Sequence, residues 1–308
     1  MARVAEFEHD NLRIQGFSLA GEETFIILPE IGIAFDVGRA PRELIPIEHV
    51  FLTHGHMDHS AGLAYYFAQR WFLDARPGNL YLAPSLIDPI RRMLRIWAEI
   101  DGHEPPANLH PAIPGKDIVL RKDLLVRPFE VNHFGPRTQR AALSQAMGYS
   151  VVEVRQKLKD EFVGLEGPQI VELKKKGIEI TRRVELPRVT FCGDTGPGRF
   201  LELDCVRNAQ VLILECTFLE PDDMPRARAG GHMHIDDLKA ALPNLNNEHI
   251  LITHLTRRML PHEANAILRR ELGAAAGTRV SFLMEHGRKG RRNAPRPNTA
   301  NPQSPVEK

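Results

Sequence analysis

The run from Thr53 to His59 places three imidazoles and one carboxylate directly after the apolar stretch from His49 to Leu52. A strand followed by a tight turn delivers such side chains to one edge of a sheet. His54 and His56 are two residues apart, so on an extended segment they point to the same side and can hold one ion. The alternative, a histidine-rich surface turn, does not account for the preceding apolar strand.

Asp58 and His59 complete the same run. They follow where the turn enters a helix, which we predict from Ser60 to Trp71, so they can face a second ion from another direction. Imidazole and carboxylate ligands without thiolate are typical of a catalytic zinc site, which keeps one position open for water. The motif therefore predicts a metal centre.

Strands and helices are predicted to alternate along most of the chain. Hydrophobic patterns and turn residues predict strands at 12–19, 24–28, 33–37, 49–52, 80–83, 124–131, 149–154, 189–192, 211–215, 250–253 and 280–283. Further helices are predicted at 84–100, 235–242 and 262–272, and a loop at 101–117. This succession, in two halves of similar size, predicts a layered α/β sandwich.

Three of the later strands end in a possible metal ligand: His133, Asp194 and His254. A lone histidine past a strand is more often a structural residue. Three such endings beside a His-x-His-x-Asp-His run are hard to ascribe to coincidence, because loops at one sheet edge converge on one cleft.

The implied chemistry is that of a two-metal site. One ion takes His54, His56 and His133, the other takes Asp58, His59 and His254, and Asp194 bridges them. The ions are expected ~3.5–4 Å apart, with a shared hydroxide placed for in-line attack. Zinc is the first choice from the ligand types, with manganese and iron as alternatives.

Composition limits the remaining possibilities. The chain has 308 residues, 43% of them hydrophobic, which is enough for one large α/β domain or two small ones. No apolar run approaches the ~20 residues that a membrane span needs. The three cysteines form no C-x-x-C pair, and acidic residues occur near the start where a signal peptide would be apolar. We therefore expect a cytoplasmic protein.

Several segments together resemble one family. The His-x-His-x-Asp-His run, the Gly-Asp-Thr turn and the later histidine resemble the metallo-β-lactamase fold superfamily. The resemblance sharpens to ribonuclease Z, the tRNA 3′-processing endonuclease, in its short, plant-like form. Five further segments carry it: 34–39, 157–165, 177–181, 215–219 and 231–235. It covers roughly residues 12–285 and is collinear.

The resemblance implies an αββα sandwich, with two mixed sheets flanked by helices, in a single domain over residues 1–287. It also implies two zinc ions per chain and a homodimer. Such enzymes cut precursor tRNA after the discriminator base and leave a 3′-hydroxyl on the tRNA. Beyond residue 287 the sequence is basic and almost free of apolar residues, so we expect a disordered tail over 288–308.

Catalytic roles are also implied by the resemblance. His232 matches the family histidine thought to protonate the leaving oxygen, and Glu215 could orient it. Asp58 is assigned a catalytic role besides its role as a ligand. His234 stands where many bacterial members have a small hydroxyl residue, so either imidazole could be the acid.

Two departures from the bacterial pattern concern how the substrate is bound and admitted. The segment that corresponds to the long tRNA-gripping arm, 155–183, is short here. Its basic residues could contact phosphate, or they could belong to a solvated helix face; they are Lys174, Lys175, Lys176, Arg182 and Arg183. An insertion at 134–147 lies next to the predicted active-site mouth.

Three functions follow as hypotheses. The first is a zinc phosphodiesterase that cleaves 3′-extended precursor tRNA. The second is a hydrolase of the same fold that acts on a small phosphodiester or ester without processing tRNA. The third is a catalytically silent binding or scaffolding protein, which has no need for all seven metal ligands.

Overall fold

The computed structural model describes residues 4–133 and 146–287. Two seven-stranded sheets form its centre. The first contains β1 (Ala5–His9), β2 (Leu12–Leu19), β3 (Glu23–Leu28), β4 (Ile33–Phe35), β5 (His49–Phe51), β6 (Gly78–Leu82) and β7 (Ala107–Pro111). The second contains β8 (Ile118–Arg121), β9 (Leu124–Glu130), β10 (Met147–Leu158), β11 (Thr181–Phe191), β12 (Val211–Glu215), β13 (His249–Thr253) and β14 (Val280–Phe282).

Both sheets follow the same topology. In each, neighbouring strands are also consecutive in the chain. The first three pairings of each sheet are antiparallel and the last three are parallel. β4 and β5 in the first sheet therefore hold the same places as β11 and β12 in the second. The fold is the predicted αββα sandwich.

Eight α-helices occur in the described residues. They are α1 (Met57–Ser60), α2 (Leu63–Phe72), α3 (Pro84–Asp101), α4 (Gly167–Lys175), α5 (Asp204–Arg207), α6 (Met224–Gly230), α7 (Ile235–Ala241) and α8 (Pro261–Leu272). The single helix predicted from Ser60 to Trp71 is thus two helices. Gly62 lies at the break, where a Cβ atom would overlap the backbone of Ala40, so the close approach requires glycine.

Alternation along the strands builds three apolar layers. In β13, Leu251 faces the layer between the sheets, while Ile250 and Ile252 face the outer layer under α7 and α8. The outer layer of the first sheet packs against α2 through Tyr66 and Phe67. This period of two is what a sheet covered on both faces requires.

The loop predicted at 101–117 is wrong in part, because β7 lies within it. β7 pairs only with β6 and carries Pro111 at its end, a position that an edge strand tolerates. β1 and β8, two further outer strands, were not predicted. Both strands are short, with five and four residues, so they give little pattern from which to predict them.

β10 and β11 are longer than predicted. β10 pairs with β9 only up to Glu153, and β11 pairs with β12 only from Val189. Beyond Glu153 in β10 and before Val189 in β11, the two strands pair only with each other. They form a two-stranded ribbon whose far end is at Leu158 and Thr181. The ribbon and α4 comprise most of the segment 155–183.

Other predictions lie largely or wholly outside the described residues. The insertion at 134–147 is described only from residue 146 onward, and the tail at 288–308 is not described. Within 4–133 and 146–287, no helix is long and apolar enough to cross a membrane.

Candidate metal centre

The carboxyl ends of parallel strands meet at one edge of the molecule and bring the predicted ligands together. His54 follows β5, Asp194 follows β11 and His254 follows β13. His133 comes after β9 and reaches the same place. Gly193 has φ +60°, and a Cβ atom there would lie 2.8 Å from Thr53, so the turn that presents Asp194 depends on glycine.

The structure brings the seven predicted ligands into two groups that share Asp194. Within each group, the candidate ligand atoms lie within 4.8 Å of one another. One group contains His54, His56, His133 and Asp194, and the other contains Asp58, His59, Asp194 and His254. This division between two sites is the one that the sequence predicts.

Asp194 lies between the two groups. One of its oxygens is 3.3 Å from His59 Nε2, and the other is 3.1 Å from His254 Nε2 and 3.7 Å from His54 Nε2. Burial opposes the charge of Asp194, but His254 and His59 hold its pKa well below the usual value. A buried carboxylate surrounded by imidazoles suits a bridging ligand.

Two orphaned nitrogen atoms indicate that the residues fit a divalent cation. His59 Nε2 and His254 Nε2 are buried and have no hydrogen-bond partner. Buried polar atoms are otherwise paired as a rule, so these atoms call for a ligand. Burial also lowers the pKa of His54 and of His133, which favours the neutral rings that bind metals.

Asp36 orients candidate ligands that follow the first sheet's strand β5. Its buried carboxylate lies 2.7 Å from His59 Nδ1 and accepts hydrogen bonds from the backbone N–H and the hydroxyl of Thr53. The hydroxyl is also 3.0 Å from His54 Nδ1. Because Asp36 holds the Nδ1 proton of His59, Nε2 is the nitrogen directed to a metal. Burial opposes a charged ring, but Asp194 and Asp36 raise the pKa of His59 well above its usual value, so a cation would displace the Nε2 proton.

Asp36 was not among the predicted site residues. The strand predicted over 33–37 enclosed it, whereas β4 ends at Phe35 and Asp36 adopts φ +55° just beyond. A carboxylate at a strand end is the signal that could have found it. Its left-handed backbone is uncommon for a non-glycine residue and occurs again at His254, with φ +59°.

Glu215 contacts two imidazoles of the second half, His232 directly and His254 through Thr217. It is buried at the end of β12, and its Oε1 lies 2.6 Å from His232 Nδ1. The backbone N–H of Thr195 donates to the same oxygen at 2.7 Å. The other oxygen accepts from the Thr217 hydroxyl at 2.6 Å, and that hydroxyl lies 2.9 Å from His254 Nδ1.

His232 and His234 have different environments. Burial alone would lower the pKa of His232, but Glu215 outweighs it and raises that pKa to about 9. His234 is only 1% exposed; its Nδ1 accepts the Asp236 N–H, so its Nε2 donates to the carbonyl of Glu220. His234 thus caps α7 with both nitrogens engaged, and His232 is the imidazole available for proton transfer.

A cavity of about 350 Å³ opens beside the metal-binding groups. His232, Asp58 and His254 line it, together with Phe218, Arg226 and Arg258. The last three were not predicted as site residues. Neither apolar periodicity nor ligand spacing marks them, because only the tertiary fold brings α6 and the segment after His254 to the mouth.

The predicted RNA-contacting residues lie elsewhere, on the ribbon and α4. All five are exposed: Lys174, Lys175, Lys176, Arg182 and Arg183. Three form ion pairs, Lys176 with Glu172, Arg182 with Asp160 and Arg183 with Glu185. None of the five lines the cavity beside the metal-binding groups.

The fold and the clustered ligands define the class of the protein. Residues 34–158 match a beta-lactamase superfamily domain. The structure of human tRNase Z, short form, superposes with a TM-score of 0.54, at 20% identity, over 79% of this chain and 92% of that one. The protein is a metal-dependent hydrolase of the metallo-β-lactamase fold.

Similarity in sequence narrows the class. The chain is 34% identical to tRNase Z TRZ1 of Arabidopsis thaliana, over 84% of this chain and 90% of that protein. It is also 34% identical to the chloroplastic tRNase Z TRZ2 of the same plant, over 82% of this chain and 69% of that protein. The chain belongs to the ribonuclease Z (tRNase Z) family.

Proposed function

We propose that the protein is an endoribonuclease that removes 3′ extensions from precursor tRNA, using two zinc ions. The observation that carries the proposal is the 34% identity to two plant tRNases Z over more than 80% of this chain. The proposed site unites metal-binding groups with a protonated imidazole. Activation of water by metal ions and protonation of the leaving oxygen each accelerate hydrolysis of a phosphodiester.

Seven residues would hold the ions in this proposal. His54, His56 and His133 would bind one, Asp58, His59 and His254 the other, and Asp194 both. Bound divalent ions supply Lewis-acid stabilisation of charge on the phosphate and activate a water nucleophile. Zinc suits the imidazole and carboxylate donors, and manganese or iron would suit them as well.

Proton transfer is assigned to the chain's own residues. His232 would protonate the leaving oxygen, which is the 3′-oxygen of the retained tRNA, and Glu215 would hold the imidazole through Nδ1. Asp58 would orient the attacking water. Its carboxylate already accepts the N–H of Gly21 at 2.9 Å, and although burial opposes its charge, His254 and His59 lower its pKa to about 2.

RNA binding is assigned to two surfaces. Arg226 and Arg258 at the cavity mouth can contact the phosphates nearest the cut. The ribbon and α4 can contact the tRNA body through Lys174 and Lys175, for which no ion-pair partner is found in the described part of the chain. Lys176, Arg182 and Arg183 can exchange their exposed carboxylate partners for phosphate.

A homodimer is a further part of the proposal. The outer ends of α2 and α3 expose an apolar surface that comprises Trp71, Phe72, Ile96, Trp97 and Ile100, each at least 41% exposed. Exposed apolar surface of this kind is typical of an interface. The substitution Ile100→Glu should halve the mass measured by light scattering; a monomeric wild-type protein would contradict the dimer.

A cytoplasmic location also remains a proposal. Its support is that all three cysteines are free and buried, as is usual in a reducing compartment. One similar protein is named chloroplastic, so fractionation of cells that express the tagged protein is the deciding measurement.

The central experiment offers the zinc-loaded protein two substrates. A 3′-extended precursor tRNA should be cut after the discriminator base and should end in a 3′-hydroxyl. If the protein hydrolyses a chromogenic phosphodiester but leaves the precursor intact, the tRNA proposal fails and a small-substrate hydrolase remains. Activity on neither substrate would favour a binding or scaffolding protein.

A further inference from the structure

Thr217 connects one carboxylate to one candidate metal ligand. Its hydroxyl oxygen is 2.6 Å from Glu215 Oε2 and 2.9 Å from His254 Nδ1. Glu215, Thr217 and His254 are each no more than 3% exposed, so water cannot easily replace either contact. The same carboxylate bonds His232 directly through its other oxygen.

The direction of these hydrogen bonds follows from proton counting. Glu215 accepts from the backbone N–H groups of Thr195, Thr217 and Met233, as an ionised carboxylate does. The single hydroxyl hydrogen of Thr217 therefore goes to Glu215. The hydroxyl oxygen can then only accept from His254, so His254 carries its hydrogen on Nδ1.

This tautomer leaves the opposite ring nitrogen of His254, Nε2, without a hydrogen. His254 Nε2 keeps its lone pair, and it faces Asp194 at 3.1 Å and Asp58 at 3.6 Å. It is also one of the two buried imidazole nitrogens without a hydrogen-bond partner. The other tautomer would place a hydrogen where a cation must bind and would remove the bond to Thr217.

Thr53 makes the same connection in the first sheet. Its hydroxyl is 2.9 Å from Asp36 Oδ2 and 3.0 Å from His54 Nδ1. Thr53 follows the end of β5 by two residues, and Thr217 follows the end of β12 by two residues. The two threonines thus occupy equivalent places, which makes a chance contact at Thr217 a poor explanation.

We propose that Thr217 is a positioning residue that fixes the metal-binding tautomer of His254, and that Thr53 does the same for His54. Through Thr217, the single carboxylate of Glu215 serves both a metal ligand and the proton donor His232. The inference rests on the proposed role of His254 and His54 as metal ligands, but it does not depend on the identity of the substrate.

The test compares two substitutions of different kind. Thr217→Val keeps the volume and removes the hydroxyl, whereas Thr217→Ser keeps the hydroxyl. Zinc affinity is measured by chelator competition on the intact protein, with bound zinc per chain from metal analysis. Loss of an outer partner of a metal ligand typically costs about 10–100-fold in affinity, so we expect that loss at one site in Thr217→Val. Thr217→Ser should restore most of it.

A matched control separates this role from stability. Thr190→Val removes a buried hydroxyl that bonds Ser150 and the carbonyl of Cys205, away from the metal centre, and it should leave zinc affinity unchanged. Unchanged affinity in Thr217→Val, or a Thr217→Ser protein as weak as Thr217→Val, would overturn the proposal. If Thr217→Val does not fold, Thr53→Val and Thr53→Ser decide it by the same criteria.

The readout also keeps this inference distinct from the proposed function. Zinc affinity is measured without RNA. A wild-type protein that leaves precursor tRNA intact would refute tRNA processing alone, and the threonine variants would still decide the inference.

Discussion

Asp36 and Glu215 lie in opposite halves of the sandwich, and each is a buried carboxylate near a strand end: Asp36 follows β4, and Glu215 ends β12. Each bonds one imidazole directly, His59 at 2.7 Å and His232 at 2.6 Å. Each reaches a second imidazole through a threonine hydroxyl. The same arrangement of groups therefore occurs on both sides of the metal centre.

The two directly bonded imidazoles differ in what their other nitrogen faces. The side chain of His59 is fully buried, and its Nε2 faces Asp194. The side chain of His232 is 17% exposed and lines the cavity. The carboxylate–imidazole pair is thus a common unit, and only the pair of Glu215 and His232 presents its imidazole to the cavity.

Removal of Asp194 should affect both halves alike, because both groups of candidate ligands include this carboxylate. Asp194→Ala should lose bound metal at both sites and all measurable turnover. Metal analysis and cleavage assays check this, with Asp222→Ala on the exposed surface as the control. Retention of two ions per chain would show that the ligand assignment is wrong.

The two imidazoles should respond differently to the same substitution. His59→Ala should release metal, whereas His232→Ala should retain metal and slow cleavage by about 10²–10⁴-fold, the usual contribution of a general acid. Metal content and kcat are measured on both proteins. Unchanged kcat in His232→Ala would assign the proton to another group, and the parallel variant His234→Ala tests the other imidazole proposed from the sequence.

Much of this arrangement was predictable from local sequence. β2 and β12 have the predicted bounds. Four of the seven candidate ligands come from the His-x-His-x-Asp-His run, and the other three were predicted as polar residues just beyond apolar strands. That rule works because the ends of parallel strands share one edge. It needs no knowledge of how the two sheets pack.

Other features depend on tertiary contacts. Thr53 and Thr217 look like ordinary residues of their segments, and only distances show that each joins a carboxylate to an imidazole. The outer ribbon was missed for another reason: pairs such as Lys157 and Arg182 are polar across both strands, so no apolar alternation marks it.

The Glu215–His232 pair predicts a dependence on pH. A general acid must be protonated, so cleavage should be high below the pKa of His232, which is about 9, and should fall as pH rises through it. Since Glu215 raises that pKa, Glu215→Gln should move the fall to lower pH. The pH profile of kcat is measured on both proteins. An alkaline limb at the same pH in the variant would refute the pairing.

The two halves also differ in the segment that joins the third and fourth strands of each sheet. Substitutions in this segment are expected to have the smallest effect on cleavage. β3 and β4 are joined by the short segment 29–32, whereas β10 and β11 are joined through the ribbon end and α4. Lys174→Gln with Lys175→Gln should raise KM for precursor tRNA, because contacts to phosphate are lost. The slope of affinity against salt should fall by about one for each lost contact.

Hydrolysis of a chromogenic phosphodiester should not change in this double variant, since neither lysine lines the cavity. The matched control for charge is Lys116→Gln with Lys122→Gln. Both lysines are exposed and flank β8, in the sheet that contains β10 and β11. An equal rise in KM in the control would mean that net charge, and not the extended connection, recruits RNA. A rise confined to the α4 variant would make this connection a feature that adapts one half of a symmetric sandwich to a large substrate.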